Sequence, residues 1–112
     1  MASKSPTENS LAYLRADGWT AEVVERWIPG ANIRKDLFGF IDIVAVRGSE
    51  TLGVQTTSNS NVPARVRKIT ESELLPVLRE AGWLIHVHGW QKKPAVRGGK
   101  AQVWKLRTVD LS

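Results

Sequence analysis

Apolar residues form short runs along the chain, and two of these runs carry polar side chains where a sheet core is expected. Residues 38–46 are apolar on both faces, which is typical of a strand in the middle of a sheet. Residues 53–58 form the next run, in which Gln55 and Thr57 lie two positions apart and share a face. Asp42 lies inside the first run. Because burying a lone charge is costly, it needs a partner, a hydrogen-bond network or a cation.

The first half of the chain carries clear signals for element ends. Residues 5–8 combine a Ser N-cap, Pro at the first helical position and Glu three residues after the cap, and Gly18 is expected to end the helix. Residues 19–27 alternate as in a strand, and residues 29–32 contain the Pro-Gly of a turn. A hairpin turn at residues 47–50 then joins the two apolar runs.

The second half begins with a helix near Pro63, capped by the polar loop before it. Pro76 lies inside the apolar pattern of that helix, so we expect a break between Thr70 and Pro76, and Gly82 ends the helical region. The remaining predicted elements are a strand over 83–89, a basic loop over 91–100 and a last strand over 101–109.

Length and composition predict one small α/β (α+β) domain over residues 1–112. It has a mixed central β-sheet flanked by helices, in the order α-β-β-β-α-β-β. No apolar run approaches the roughly 18 residues of a membrane span, so no membrane partner is expected. The absence of cysteine excludes disulfides and thiolate metal sites and favours a cytoplasmic protein. The sequence leaves open whether two copies form a homodimer.

An excess of basic residues indicates a polyanionic partner. Lys and Arg number 16 against 11 acids, which gives a net charge of +5 and a pI near 10. The clusters that could contact phosphates contain Arg65, Arg67, Lys68, Lys92, Lys93, Arg97 and Lys100. A solvated basic face is the alternative interpretation. The five Trp are expected mainly in the core, although an exposed Trp can stack on a base.

The element order and the polar positions together resemble the PD-(D/E)XK nuclease superfamily, in particular its small phage-encoded and Holliday-junction-resolvase-like members. The resemblance covers residues from about 8 to about 93. It depends on Glu8 in the first helix, the Gly-Phe-Ile-Asp-Ile-Val-Ala run around Asp42, and the polar pair Gln55 and Thr57. It implies a restriction-endonuclease-like core and a metal-dependent endodeoxyribonuclease acting on DNA, with branched or phage DNA among the candidate substrates. Mg²⁺, or Mn²⁺, would be held by Glu8, Asp42 and Gln55.

The chain departs from the family pattern because Gln-x-Thr replaces (Asp/Glu)-x-Lys. Gln55 can coordinate magnesium through its carbonyl oxygen but brings no charge, and Thr57 supplies no cation. Lys68 on the following helix is the predicted replacement for the family lysine, with Arg65 and Arg67 as alternatives. Such a site would neutralise phosphate charge and generate a nucleophile near neutral pH.

Each candidate also has a structural explanation. Glu8 completes a capping box, Gln55 can be a satisfied half-buried amide, and Asp36 could be the family acid, although a turn residue is favoured there. His86 and His88 share a strand face without a third ligand at a clear spacing, which favours ordinary strand histidines. The alternative function is a catalytically lapsed module of the same fold that binds nucleic acid or protein without cleavage. A further alternative is an interaction protein with no nucleic-acid partner.

Overall fold

A mixed five-stranded sheet with helices on both faces forms the body of the protein. The structure is a computed structural model and describes residues 4–112. The elements are α1 (Pro6–Ala16), β1 (Thr20–Val23), β2 (Arg26–Ile28), β3 (Ile33–Lys35), β4 (Ile43–Arg47), β5 (Glu50–Ser58), α2 (Val62–Thr70), α3 (Leu74–Glu80), β6 (Leu84–Pro94) and β7 (Gln102–Asp110). The predicted fold class is confirmed.

The strand order in the main sheet is β1-β4-β5-β6-β7. The pair β5–β6 is parallel and the other neighbouring pairs are antiparallel. The crossover between the parallel strands passes through a 3₁₀ turn, Asn59–Asn61, and then through α2 and α3. Strands β2 and β3 pair only with each other and form a hairpin inserted between β1 and β4. The predicted order α-β-β-β-α-β-β therefore describes the elements of the main sheet, and the hairpin is an addition to it.

Local signals explain where the helices begin and end. The Ser5 hydroxyl accepts a hydrogen bond from the Glu8 backbone N–H at 3.1 Å, and Gly18 takes a positive φ of 87° just beyond α1. The expected break in the second helical region lies between the end of α2 and the start of α3, as predicted, and Pro76 falls within the first turn of α3.

The two faces of the sheet bury separate apolar clusters. Leu52 and Val54 of β5 pack with Leu14 of α1 on one face, while Ile69 of α2 and Ile85 of β6 belong to the cluster on the other face. This alternation is what the period of two in β5 predicts. The core therefore fixes β5 between α1 and the α2–α3 pair.

Three predicted boundaries are wrong. Residues 38–41 form a turn rather than the start of a strand, because Phe38 and Gly39 take positive φ values of 55° and 84°. The predicted strand over 19–27 is divided into β1 and β2. Strand β6 continues to Pro94, so the first part of the predicted loop over 91–100 is paired with β7. Short apolar or basic runs do not by themselves distinguish a strand from a turn.

No helix among residues 4–112 has the length and apolar character needed to cross a membrane.

Candidate metal centre

Asp42 lies at the point where β1, β4 and β5 meet at one end of the sheet. Its backbone N–H donates to the Val54 carbonyl at 2.8 Å, and its own carbonyl accepts from the Val24 N–H at 2.8 Å. Because β4 runs antiparallel to its two neighbours, the carboxyl ends of β1 and β5 lie at this same end. The sheet therefore holds the Asp42 backbone on both sides, and the residue is 4% exposed.

Three donors from β5 bind the Asp42 carboxylate. Gln55 Nε2 lies 2.7 Å from Asp42 Oδ2, the Thr56 backbone N–H donates to the same oxygen at 2.8 Å, and the Thr56 hydroxyl lies 3.2 Å from it. The Thr56 hydroxyl is also hydrogen-bonded to Thr7 of α1 at 2.8 Å. All three bonds fall on Oδ2, so they fix the carboxylate in place.

Two further acids approach Asp42 from the inserted hairpin. Carboxylate oxygens of Glu25, Asp36 and Asp42 all lie within 4.8 Å of one another. The hairpin register explains this approach. Arg26 is opposite Lys35, so Glu25 and Asp36 are adjacent to that pair at the base of the hairpin. We call these three residues the acidic cluster.

Basic side chains surround the acidic cluster. Lys68 Nζ lies 3.8 Å from Asp36 Oδ2, and Arg34 Nη1 lies 3.3 Å from Glu25 Oε1. Burial, followed by the hydrogen bond and charge of Asp42, raises the pKa of Asp36 from 3.8 to about 6, although Lys68 and Arg65 act in the opposite direction. The nearby cations therefore leave the repulsion between the carboxylates only partly balanced.

The Gln55 amide oxygen is a second unusual feature at the same place. Gln55 is 3% exposed, and its Oε1 is buried with no hydrogen-bond partner in the described part of the chain. An unpaired buried carbonyl is costly, and such groups in native proteins call for an explanation. Rotation of the amide would exchange its nitrogen and oxygen, and the oxygen would then face the Asp42 carboxylate. That arrangement is favourable only with a cation between them.

The acidic cluster opens into a cleft of about 780 Å³. Asp42, Gln55 and Arg65 line the cleft, and Lys68 reaches the cluster through Asp36, so these four predicted positions are brought together. Glu8 also lines the cleft, but it is exposed, its carboxylate accepts from the Ser5 hydroxyl at 3.2 Å, and it lies outside the acidic cluster.

The other predicted basic residues lie away from the cluster. Arg67 is exposed on α2 and is not among the residues that line the cleft. Four more are exposed at the far end of the β6–β7 pair: Lys92, Lys93, Arg97 and Lys100. Because Trp90 is the last residue of β6 opposite β5, residues 91–105 form a two-stranded ribbon beyond the sheet. The ribbon contains five Lys or Arg and no acid, and β6 is parallel to β5, so the ribbon leaves from the same end of the sheet as the acidic cluster.

Glu25 was not among the predicted site residues, and Asp36 was assigned to a turn instead. Asp36 does begin a turn, since its carbonyl accepts from the Gly39 N–H at 3.1 Å, and its side chain also belongs to the acidic cluster. The signal that could have found both is the turn over 29–32. The strands on the two sides of that turn pair Ile28 with Ile33 and Arg26 with Lys35. Continuing the same register by one residue makes Glu25 and Asp36 cross-strand neighbours.

His86 and His88 lie on the other side of the sheet, towards α1. His88 Nδ1 is 2.9 Å from the buried Ser10 hydroxyl, which also accepts from Trp90 Nε1 at 2.8 Å. Burial and the charge of His86 lower the pKa of His88 to about 4. His86 Nε2 lies 3.5 Å from an Asp110 carboxylate oxygen. The neutral His88 ring and Ser10 therefore belong to a network that joins α1 to β6.

The donor set of the acidic cluster fits a hard divalent cation. The carboxylate oxygens of the cluster lie within 4.8 Å of one another, near enough for one cation to gather them with small side-chain movements. Carboxylate and amide oxygens are the ligands that Mg²⁺, Mn²⁺ and Ca²⁺ prefer. Comparison with protein-family models finds no matching family, and neither the curated proteins nor the solved structures give a match.

Proposed function

We propose that this protein is a metal-dependent phosphodiesterase that cleaves DNA. The observation that carries the proposal is the convergence of Glu25, Asp36 and Asp42 in one cleft, which Gln55 also lines, beside Lys68. Phosphodiester hydrolysis needs charge neutralisation at the phosphate and an activated water. A bound Mg²⁺ or Mn²⁺ supplies both, while a nearby ammonium stabilises developing negative charge.

The roles follow from the position of each side chain. Asp42 is the anchoring ligand, because its backbone is held on both sides and its Oδ2 accepts from the Thr56 backbone N–H. Asp36 and Glu25 supply the further charged ligands that a site with a neutral Gln55 requires. Lys68 is the cation that replaces the missing strand lysine. It is held at the cluster by its ion pair with Asp36.

Glu8 was predicted as a metal ligand but is not assigned as one in this proposal. Its backbone N–H and its carboxylate are both hydrogen-bonded to the Ser5 hydroxyl, and it lines the cleft without belonging to the acidic cluster. We therefore assign the charged ligands to the acidic cluster and keep Glu8 as a candidate for contact with substrate or with its hydration.

The partner is inferred from charge. The ribbon over residues 91–105 carries five cations and no acid, and it extends from the end of the sheet where the cleft lies. Arg65 lines the cleft itself. Cations at these positions contact phosphates without reading sequence, which suits an enzyme that recognises the form of DNA. The proposal includes an intracellular, phage-type setting, as the resemblance implies.

The test is cleavage of linear, circular and branched DNA with Mg²⁺ or Mn²⁺. We expect cleavage by the wild type, at least a hundredfold loss in Asp42→Ala, and little change in Asp17→Ala, whose exposed acid pairs with Arg47 outside the cleft. Absence of cleavage with either metal on all three substrates would refute the enzymatic proposal.

A second candidate is a lapsed nuclease fold that binds DNA without cleaving it. It is favoured by one observation: Thr57, at the position of the family lysine, is 5% exposed and brings no charge. In that case DNA binding would fall steeply with salt, ignore Mg²⁺ and survive Asp42→Ala. Loss of DNA binding on chelation of the metal would favour the enzyme instead.

A further inference from the structure

The hairpin formed by β2 and β3 has one face that continues directly from the acidic cluster. Trp27 is opposite Arg34 in the hairpin register. Because side chains alternate along a strand, Glu25 and Trp27 share a face on one strand, as do Arg34 and Asp36 on the other. The same face therefore carries the acidic pair at its base and the Trp27–Arg34 pair one step further out.

Trp27 is exposed to an unusual extent for its type. Its relative exposure is 52%, and among the described residues no ring, hydrogen-bond or cation–π partner is present for it. Trp is highly buried on average, so an exposed and unpartnered indole beside a candidate site indicates a contact made with something else. The hairpin pairs only with itself, so Trp27 is not needed to complete the main sheet.

The charge of the hairpin indicates what that contact is. Residues 26–35 contain Arg26, Arg34 and Lys35 and no acid, and all three side chains are exposed. A polyanion is therefore favoured over an apolar or basic protein surface. Of these three cations, Arg34 shares the face of Trp27 and lines the cleft, where its Nη1 lies 3.3 Å from Glu25 Oε1. Arg26 and Lys35 lie on the opposite face of the hairpin.

The spacing fits a nucleic-acid strand that crosses the cleft. Trp27 is two residues from Glu25 along an extended chain, or roughly 7 Å. That distance corresponds to about two stacked nucleotides, at roughly 3.4 Å each. A phosphate at the acidic cluster would therefore place a base within one or two nucleotides of it near the indole.

From these observations we infer that Trp27 stacks on an unpaired base next to the phosphate bound at the acidic cluster. The substrate class would then be single-stranded, gapped or branched nucleic acid rather than intact duplex. In a paired duplex both faces of a base are already covered by its neighbours, so only an unstacked base can use the indole. This inference rests on the proposed function, because it takes the acidic cluster as the place where the phosphate binds.

The test compares binding of labelled oligonucleotides of one sequence as a single strand, a gapped duplex and a blunt duplex. Fluorescence anisotropy is measured in Ca²⁺ and separately in EDTA, so no cleavage is required. Trp27→Leu should weaken binding to the single strand and the gapped duplex by about fivefold to a hundredfold, the effect of losing one base stack, and change blunt-duplex binding less than about twofold. Trp27→Phe, which keeps an aromatic face, should recover most of the loss.

Ile33 provides a matched control. It is also 52% exposed on the same hairpin, but it pairs with Ile28 on the opposite face. Ile33→Ala should leave binding to all three oligonucleotides unchanged, and unfolding curves should show that every variant is folded. The inference would be overturned if Trp27→Leu weakened binding to all three oligonucleotides equally, or if Trp27→Leu and Trp27→Phe had equal effects on binding. So would a concentration-dependent dimer that Trp27→Leu abolishes while oligonucleotide binding stays unchanged.

The two proposals fail in different ways. If no metal-dependent cleavage is seen but binding to unpaired strands still depends on Trp27, the nuclease proposal is refuted and the stacking inference stands. Cleavage of DNA that is insensitive to Trp27 and to strand pairing would refute the stacking inference alone. Absence of binding to every oligonucleotide at low salt would refute both.

Discussion

Asp36 gives the sharpest prediction, because its charge is unfavourable for the metal-free protein. Burial, and then Asp42, raise its pKa from 3.8 to about 6, even with Lys68 only 3.8 Å away. An acid with a higher pKa in the native state binds more protons there than in the unfolded state. Its contribution to the free energy of unfolding is therefore unfavourable above about pH 6 and fades as the pH falls towards 3.8.

The size of this effect follows from the difference in pKa. A difference of about two pKa units corresponds to about 3 kcal/mol. The Asp36 carboxylate is in an open cleft, and screening by solvent reduces that figure to about 1–2 kcal/mol. Asp36→Asn removes the charge and keeps the shape, so we expect it to raise the free energy of unfolding by about this amount near neutral pH in EDTA.

Urea unfolding at two pH values with EDTA, and again with Mn²⁺, measures the prediction. Near pH 4 the gain of Asp36→Asn should shrink towards zero, because the wild-type carboxyl is then largely protonated. Mn²⁺ should stabilise the wild type by mass action and the variant much less. Asp17→Asn, an exposed acid outside the cleft, is the control and should give no gain. A variant less stable than the wild type near neutral pH in EDTA would refute this reasoning.

Two further predictions concern the scaffold around the site. His88, whose pKa is lowered to about 4 by burial and then by His86, loses its stabilising contribution as the pH falls from 6.5 towards 4. The unfolding free energy of the wild type should therefore approach that of His88→Gln by on the order of 3 kcal/mol, while His86→Gln, which removes only the smaller cause, should keep most of the pH dependence. Parallel curves for the wild type and His88→Gln would contradict this. Gly89→Ala would put a Cβ 2.3 Å from Val62 Cγ2 and 3.2 Å from the Asn59 Cα. It should lower the urea midpoint by the equivalent of about 1–3 kcal/mol. An unchanged midpoint would show that the 3₁₀ turn at Asn59 shifts to make room for the added methyl group.

Much of the main sheet could be predicted because its signals are local. The Ser5 cap, the turn between Arg47 and Glu50, and the helix break before Pro76 each depend on residues within a few positions of one another. The turn at residues 38–41 could not be predicted in the same way. Phe38 takes a positive φ that its residue type disfavours, and tertiary packing of Phe40 and Ile41 in the core holds the turn there.

In the candidate site, too, the residues with local signals could be predicted and those that depend on long-range folding could not. Asp42 and Gln55 come from neighbouring strands, so an unusual acid and an unusual amide in apolar runs were enough to indicate them. Glu25 and Asp36 meet only because a hairpin folds back onto the end of the sheet, and neither stands out within its own segment. Lys68 was predicted as a substitute for an absent lysine, and the structure places its Nζ 3.8 Å from Asp36 Oδ2.

Stability alone does not explain the arrangement at this end of the sheet. The described structure leaves the Gln55 oxygen buried without a donor and keeps three carboxylates within 4.8 Å of one another, and both features are unfavourable. Lys68 and Arg65 do not remove either cost, because the pKa of Asp36 stays raised and the amide oxygen stays unpaired. A divalent cation at the cluster would balance the carboxylates, and with the Gln55 amide rotated so that its oxygen faces Asp42, it would also take that oxygen as a ligand. Unfavourable contacts that one ligand relieves together are characteristic of a binding site rather than of a fold's core.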